Sequence, residues 1–447
     1  MTRLRLLSSI LAVLGLGAAS FAAEPDGLRE VVKGIRAGDQ EALAPLKALF
    51  DEKAASLVLD VITSKNVGGG MKARMAEIVA NWPVDAPGRK NLLDWLPRHS
   101  NADEDTLLFY GKLASKETRP FFETLLLHGD VKREPVRVAL SAQALGVWQD
   151  VTEPVLTRVR SLLSPTLPHV LRASAAEALG GMRHIESLRA LVALVEDEAL
   201  AAHAARALFR LTGEDFENDS ATRWQTWLTE HPRIDWKMHA ASEWENYLRT
   251  QALLKPAEDV AAEMQAFYGV RLSGKSMLFI LDVSGSMETN GRISKLRGQM
   301  ANMLTVLQNR PATTRYGILT FSDGVTPCFS RGGISSNEEK AHEKAVRFVD
   351  RLQADGGTDM VTALRYARER ILPAAEVDTI YLLSDGEPSD GSAQDVLDAV
   401  RATHQRFQTR FHTISIGEAP PANFGEKSLL EEVAAITGGS FTRVREE

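Results

Sequence analysis

The most constraining feature of this 447-residue chain is the junction between Met277-Leu278-Phe279-Ile280-Leu281 and Asp282-Val283-Ser284-Gly285-Ser286. The apolar run never alternates with polar residues, so it predicts a strand buried on both faces, with helices covering a sheet. At its C-terminal end stand one carboxylate and two hydroxyls at alternate positions, and Gly285 lets the backbone turn between the hydroxyls. In an open parallel sheet that end of a strand is where ligands sit. Oxygen-only donors in a tight turn suit a hard cation such as Mg²⁺ rather than zinc. Alone, such a turn is common and merely redirects the chain.

Two later segments change its weight. Gly356-Gly357-Thr358-Asp359 opens a helical pattern over 360–371, and a second apolar run, 379–383, ends in Ser384-Asp385-Gly386. Together the three segments resemble the metal-ion-dependent adhesion site of the von Willebrand factor type A fold, whose pattern is D-x-S-x-S, a distant Thr and a distant Asp in a T/S-D-G turn. The resemblance spans roughly residues 275–444, less than half of the chain. It implies that Asp282, Ser284, Ser286, Thr358 and Asp385 surround one divalent cation, Mg²⁺ first, with Mn²⁺ or Ca²⁺ as alternatives. Ser384 stands where many members carry Thr, outside the ligand set. Three of the five donors are neutral hydroxyls, and in the family the two Asp residues usually act through water. The cation then stays electrophilic and keeps a position open for an outside carboxylate. Asp359 reads as a helix-start charge favoured by the macrodipole, not as a sixth ligand.

The remainder of this region alternates strand and helix. Helices are expected over 293–307, 338–352, 361–371, 396–407 and 428–437. Strands are expected over 315–321, 325–330, 410–416 and 441–444. That alternation predicts a doubly wound α/β domain, 275–447, with a mostly parallel sheet.

The first half repeats itself. Residues 136–146 (VRVALSAQALG) align with 170–180 (VLRASAAEALG), and these with 199–209 (ALAAHAARALF). Small residues at helical spacing let neighbouring helices approach closely, as a stacked helix-pair solenoid requires. The period of about 30 residues resembles the short HEAT-like repeats of bacterial proteins, here over 27–230 with its cap. The cap is expected at 221–230, where Trp224 and Trp227 lie one helical turn apart. Residues 231–274 are read as a helical connector, with helices over 232–254 and 255–271. No Pro/Ser/Gly-rich linker divides the halves, so they are expected to dock.

At the N-terminus, Arg3 and Arg5 precede an apolar stretch over 6–19, and Ser20-Phe21-Ala22 places small residues where a signal peptidase reads. Residues 1–22 are therefore expected to be a signal peptide, and the protein to be exported, into a bacterial periplasm or the medium. No further transmembrane segment is expected. Cys328 is the only cysteine, so no intramolecular disulfide forms, and it reads as a small buried hydrophobe. A formal net charge of −7 without a long basic cluster argues against nucleic acid as a partner.

Hydrolytic motifs (H-E-x-x-H, G-x-S-x-G, G-x-x-x-x-G-K-[ST]) are absent. The favoured function is a non-catalytic binding or scaffold protein whose cation grips an Asp or Glu of a protein partner. The alternative is a metal-dependent hydrolase in which the same cation activates water. Chromophore attachment, known in some HEAT-like repeat proteins, is disfavoured by the metal domain.

Overall fold

The computed structural model describes residues 25–36, 39, 41–64, 67, 69–99, 101–216, 221–240, 243–244, 247, 267–270, 272–330, 332–417 and 428–444. The expected signal peptide, 1–22, lies outside the described residues, as do most of 241–266. Two compact units are present: the described residues up to Gly129 with Leu140–Leu145, and Asp130–Ala139 with the residues from Gly146 onward.

The N-terminal region is all-helical, with twelve described α-helices from Pro25–Arg36 (α1) to Ala221–Glu230 (α12). In the first unit, Trp82 donates its indole N–H to the Leu46 carbonyl at 2.8 Å, and buried Tyr110 donates its hydroxyl to the Leu92 carbonyl at 2.8 Å. These bonds give large aromatic side chains polar partners inside an otherwise apolar core.

The second unit contains the helices His169–Leu179 (α9), Ile185–Val192 (α10) and Ala201–Thr212 (α11). The repeated small residues bring α9 and α11 into close contact. A Cβ on Gly180 would stand 2.7 Å from the Cα of Ala207, and one on Gly146 would stand 2.6 Å from the Cα of Ala178. The glycine that closes one repeat thus lies against an alanine of the next. Trp224 of α12 is buried, and its ring lies 4.6 Å from that of Phe216 and 5.8 Å from that of Trp227, centroid to centroid.

The connector differs from expectation. Residues 232–240 are irregular rather than helical, with Met238 at a φ of 53°. The Lys237 N–H bonds to the Leu211 carbonyl at 3.0 Å and the His239 N–H to the Arg210 carbonyl at 2.7 Å, so this strip caps carbonyls at the end of α11. Residues 267–270 form a tight turn closed by a β-bridge between Phe267 and Val270, not the end of a helix.

The C-terminal region is a seven-stranded, mostly parallel sheet: β1 (Ser276–Asp282), β2 (Arg315–Phe321), β3 (Val325–Pro327), β4 (Ser335–Ser336), β5 (Thr379–Ser384), β6 (Arg410–Ile416) and β7 (Phe441–Val444). The path is β3-β2-β1-β5-β6-β7, with β4 paired to β2. β1 is parallel to β2 and β5, whereas β3 and β4 run antiparallel to β2. All seven residues of β1 are buried. Met277, Phe279 and Leu281 join one core with the helices Arg292–Gln308 (α13) and Glu339–Asp350 (α14). Leu278 and Ile280 join a second core with Met360–Tyr366 (α15), Ala393–Phe407 (α16) and Leu429–Thr437 (α17). Period-two alternation of two apolar sets explains why the run carries no polar residue. Strand β3 ends at Pro327, so Cys328 lies just beyond it, buried, with its N–H on the Ile318 carbonyl at 2.8 Å.

The helices of the second unit meet the sheet at the N-terminal ends of its strands. Asp197 pairs with Arg172 at 2.6 Å and with Lys275, just before β1, at 3.2 Å. Arg310 pairs with Glu198 and donates to the Gly274 carbonyl. His169 Nε2 lies 3.3 Å from the Gln408 carbonyl oxygen.

The close approach at Gly180 gives a test. Gly180→Ala should destabilise the protein by about 1–3 kcal/mol, because the new methyl meets backbone that cannot yield cheaply. Gly298→Ala, in α13 with nothing within 4 Å of the added carbon, should stabilise by roughly 0.5–1 kcal/mol. Urea melts of both variants check the pair; a neutral Gly180→Ala would contradict the packing.

Candidate metal centre

The sheet order places the site. From β1 the chain crosses to β2 on one side, and β5 pairs with β1 on the other, so the strand order reverses at β1. The crevice beyond the C-terminal ends of β1 and β5 is a topological switch point. Asp282 ends β1 and Asp385 follows β5 directly.

Asp282 is fully buried. Its Oδ1 accepts the Ser284 N–H at 2.8 Å and its Oδ2 accepts the Ser384 hydroxyl at 2.5 Å. The Ser284 and Ser286 hydroxyls lie 3.0 Å apart, and Ser286 donates to Asp385 Oδ1 at 2.7 Å. Asp282, Ser284, Ser286 and Asp385 are therefore brought together in one continuous hydrogen-bonded chain. Ser284 marks the corner: its backbone is extended, and a 3₁₀ turn begins at Gly285.

Thr358 lies on the neighbouring loop. The Gly285 N–H bonds to the Gly356 carbonyl and the Asp355 N–H to the Val283 carbonyl, both at 2.9 Å, so that loop runs beside the D-x-S-x-S turn. Gly356 has a φ of +74°, which favours glycine, and a Cβ there would stand 2.7 Å from the Asp323 carboxylate, which would have to shift. The Thr358 N–H is held by the Ser389 hydroxyl at 2.7 Å, and Asp390 accepts the N–H groups of Val361 and Thr362 at the start of α15. Asp359 occupies the N-cap position of that helix without a capping hydrogen bond from its side chain. Its Oδ1 accepts the Ser389 hydroxyl at 3.3 Å, and the helix-start N–H groups go to Asp390 instead.

Burial pushes the Asp282 carboxyl above the ordinary carboxylate range; donors on Ser284 and Ser384 pull it down, and the charge of Asp385 adds to the rise. The donor set fits a hard divalent cation. Two carboxylates and clustered hydroxyls converge at a strand-end crevice, and the buried Asp282 accepts only neutral donors. Among the described residues, no group of three or more His, Cys, Asp or Glu is placed to hold a metal.

Two groups were not singled out from the sequence. Ser384, outside the ligand set, donates its hydroxyl to Asp282 Oδ2. Arg292, the first residue of α13, places its guanidinium 2.6 Å from Asp385 Oδ2. A basic residue closely following a D-x-S-x-S turn was the available signal for it. Among the described residues, the Ser284 and Ser286 hydroxyls bond to each other and Ser286 bonds to Asp385, with no imidazole beside them. His404 and His412 lie by the N-terminal end of β6, where burial pushes each down to about 3.

Comparison with known proteins agrees with this geometry. Residues 276–446 match the model of the von Willebrand factor type A domain. The inter-alpha-trypsin inhibitor heavy chain H4 of Sus scrofa is 28% identical over 187 residues, which cover 39% of this chain and 18% of that protein. Heavy chain H2 of Homo sapiens is 26% identical over 152 residues, 30% of this chain and 15% of that protein. The chain thus spans less than a fifth of these curated relatives. Among solved structures, a von Willebrand factor type A protein from Catenulispora acidiphila aligns with a TM-score of 0.33 at 21% identity, covering 39% of this chain and 40% of that one. Proximal thread matrix protein 1 from the mussel byssus, solved with a zinc-occupied MIDAS motif, aligns with a TM-score of 0.30 at 20% identity, covering 38% and 41%. With the family match, the strand-end turn and the parallel sheet in accord, residues 276–446 are a von Willebrand factor type A domain.

Proposed function

We propose that this is an exported, non-catalytic binding protein whose type A domain holds a divalent cation, Mg²⁺ first, at Asp282, Ser284, Ser286, Thr358 and Asp385. Through that cation it grips an Asp or Glu side chain of a partner protein. The observation that carries this reading is the hydrogen-bonded chain Ser384–Asp282–Ser284–Ser286–Asp385 at the switch point of the sheet. Type A domains mediate protein–protein interaction, which fits a site without an evident base. When bound, the cation supplies an electrophilic position for an outside carboxylate. The residues of this chain orient it and carry little direct negative charge toward it. Among the described residues, the helices of the second unit meet the sheet at the opposite ends of its strands, away from the strand-end crevice. The helical region then serves as scaffold, with HEAT-like stacking as the reading of its repeats. Export rests on the N-terminal Arg3, Arg5, apolar stretch and Ser20–Ala22 pattern.

A pulldown from periplasmic extract, run in parallel with Mg²⁺ and with chelator, tests the reading. A partner should be retained only with metal, and Asp282→Ala should lose it. Mg²⁺ or Mn²⁺ at ten times its dissociation constant should stabilise the fold by roughly 1.4 kcal/mol. That corresponds to a melting-temperature rise of about 3–6 °C for a domain of this size. An unchanged melting temperature across millimolar Mg²⁺ and Mn²⁺ would count against the site.

The metal-free protein carries its own prediction. A carboxyl whose folded-state pKa is raised disfavours the fold when ionised. That deficit is absent below the unfolded carboxyl's pKa and grows as pH rises through the folded one. Asp282 is such a group. Asp282→Asn keeps an oxygen for the Ser284 N–H and removes the charge. At pH 7 in chelator it should melt higher than wild type, and it should show no metal-induced shift. A lower metal-free melting temperature for this variant would contradict the electrostatic account.

A further inference from the structure

Asp385 already has a cationic partner. Chain reversal after the D-x-S-x-S turn uses two consecutive residues with positive φ, Asn290 at 52° and Gly291 at 65°, and delivers Arg292 to the start of α13. From there its guanidinium bonds to Asp385 Oδ2 at 2.6 Å, while Ser286 occupies Oδ1. The pair is buried: the Arg292 side chain is 11% exposed and that of Asp385 0%. A rim ion pair contributes little, but at this burial the carboxylate depends on its counter-charge. A cation that reaches Asp385 must either share it with a fixed positive charge or displace that charge, and either route weakens the cation's hold.

Building on the metal reading above, we propose that Arg292 is an internal counter-ion that competes with the divalent cation for Asp385 and so sets the affinity of the site. In the absence of metal, Arg292 neutralises one of two carboxylates that would otherwise face each other uncompensated. Metal loading then exchanges one cation for another at Asp385, and a tight structural site becomes one tuned by available metal. Arg292 is a positioning and affinity-determining residue; it is not one of the proposed ligands. The role proposed for Arg292 is its positive charge, which Lys also carries, so Lys should largely substitute for it.

The test is Mn²⁺ binding to the full-length protein, read by electron paramagnetic resonance of free Mn²⁺, for wild type, Arg292→Gln and Arg292→Lys. Arg292→Gln should bind Mn²⁺ at least about tenfold more tightly, the ratio that 1.4 kcal/mol represents. Arg292→Lys should stay near wild type. In chelator Arg292→Gln should melt below wild type, and saturating Mn²⁺ should close that gap. Equal or weaker Mn²⁺ binding by a folded Arg292→Gln, with wild type binding normally, overturns the inference and leaves the metal reading standing. Absence of binding in all three proteins overturns both. Should Arg292→Gln fail to fold, arginine Nε–H spectra of ¹⁵N-labelled wild type carry the test. The Arg292 resonance, identified by its loss in Arg292→Lys, must shift on Mg²⁺ titration, and an unmoved resonance overturns the inference.

Discussion

Two acidic side chains without solvent exposure, Asp282 and Asp385, sit at the ends of adjacent parallel strands and are bridged by serine hydroxyls. Burying carboxylates this way is costly unless hydrogen bonds or cations compensate. Much of the surrounding architecture serves that compensation. The Ser284 N–H and the Ser384 hydroxyl satisfy Asp282, Ser286 and Arg292 satisfy Asp385, and Gly356 admits the Thr358 loop alongside. The two apolar cores on either face of β1 fix the strand ends from which the site is built. A cation at this point would complete a charge balance that the chain itself meets only in part.

The opposite end of the sheet is also polar, but balanced differently. Asp378 accepts the N–H groups of Lys275 and Ser276, Asp197 pairs with Arg172 and Lys275, and Glu177 is held by Arg206 and His203. Burial pushes His203 down to about 4, although its bond to Glu177 works the other way. Asp378 Oδ2, Asp197 and Glu177 find their partners within the chain, whereas Asp378 Oδ1 and His203 Nε2 are buried without a hydrogen-bond partner among the described residues. That end is held mainly by ion pairs between helices and strand starts, whereas the strand-end crevice is lined by hydroxyls. The contrast lies in donor chemistry: guanidinium and imidazole partners at that end, hydroxyls and one arginine at the crevice.

Much of this was legible in the sequence because the signals were local. The uninterrupted run before Asp282 required two covered faces, and the sheet provides them. The strands at 315–321, 410–416 and 441–444 were marked by short apolar or β-branched runs between turn residues, and their limits agree with the structure. The connector was not legible. Residues 232–240 carry a pattern compatible with a helix, but their Lys237 and His239 N–H groups instead meet carbonyls near the end of α11. That partner is distant in sequence, and no local propensity encodes it. The same holds for Arg292, whose role depends on a carboxylate 93 residues away. Strand β4 is only two residues long, too short for alternation to register. The strand-end positions of Asp282 and Asp385 were readable locally, their grouping with Ser284, Ser286 and Thr358 came from the family resemblance, and the hydrogen bonds joining Asp282, Ser284, Ser286 and Asp385 required the sheet's register.

The central claim is that these strand ends form a site for one divalent cation. Anomalous scattering from crystals of the full-length protein grown with Mn²⁺ tests it most directly. The account predicts a single strong peak in the type A domain, bounded by the side-chain oxygens of Ser284, Ser286 and Thr358 with Asp282 and Asp385 beside it. A peak at another place in the domain, or a crevice without one at saturating Mn²⁺, would contradict it.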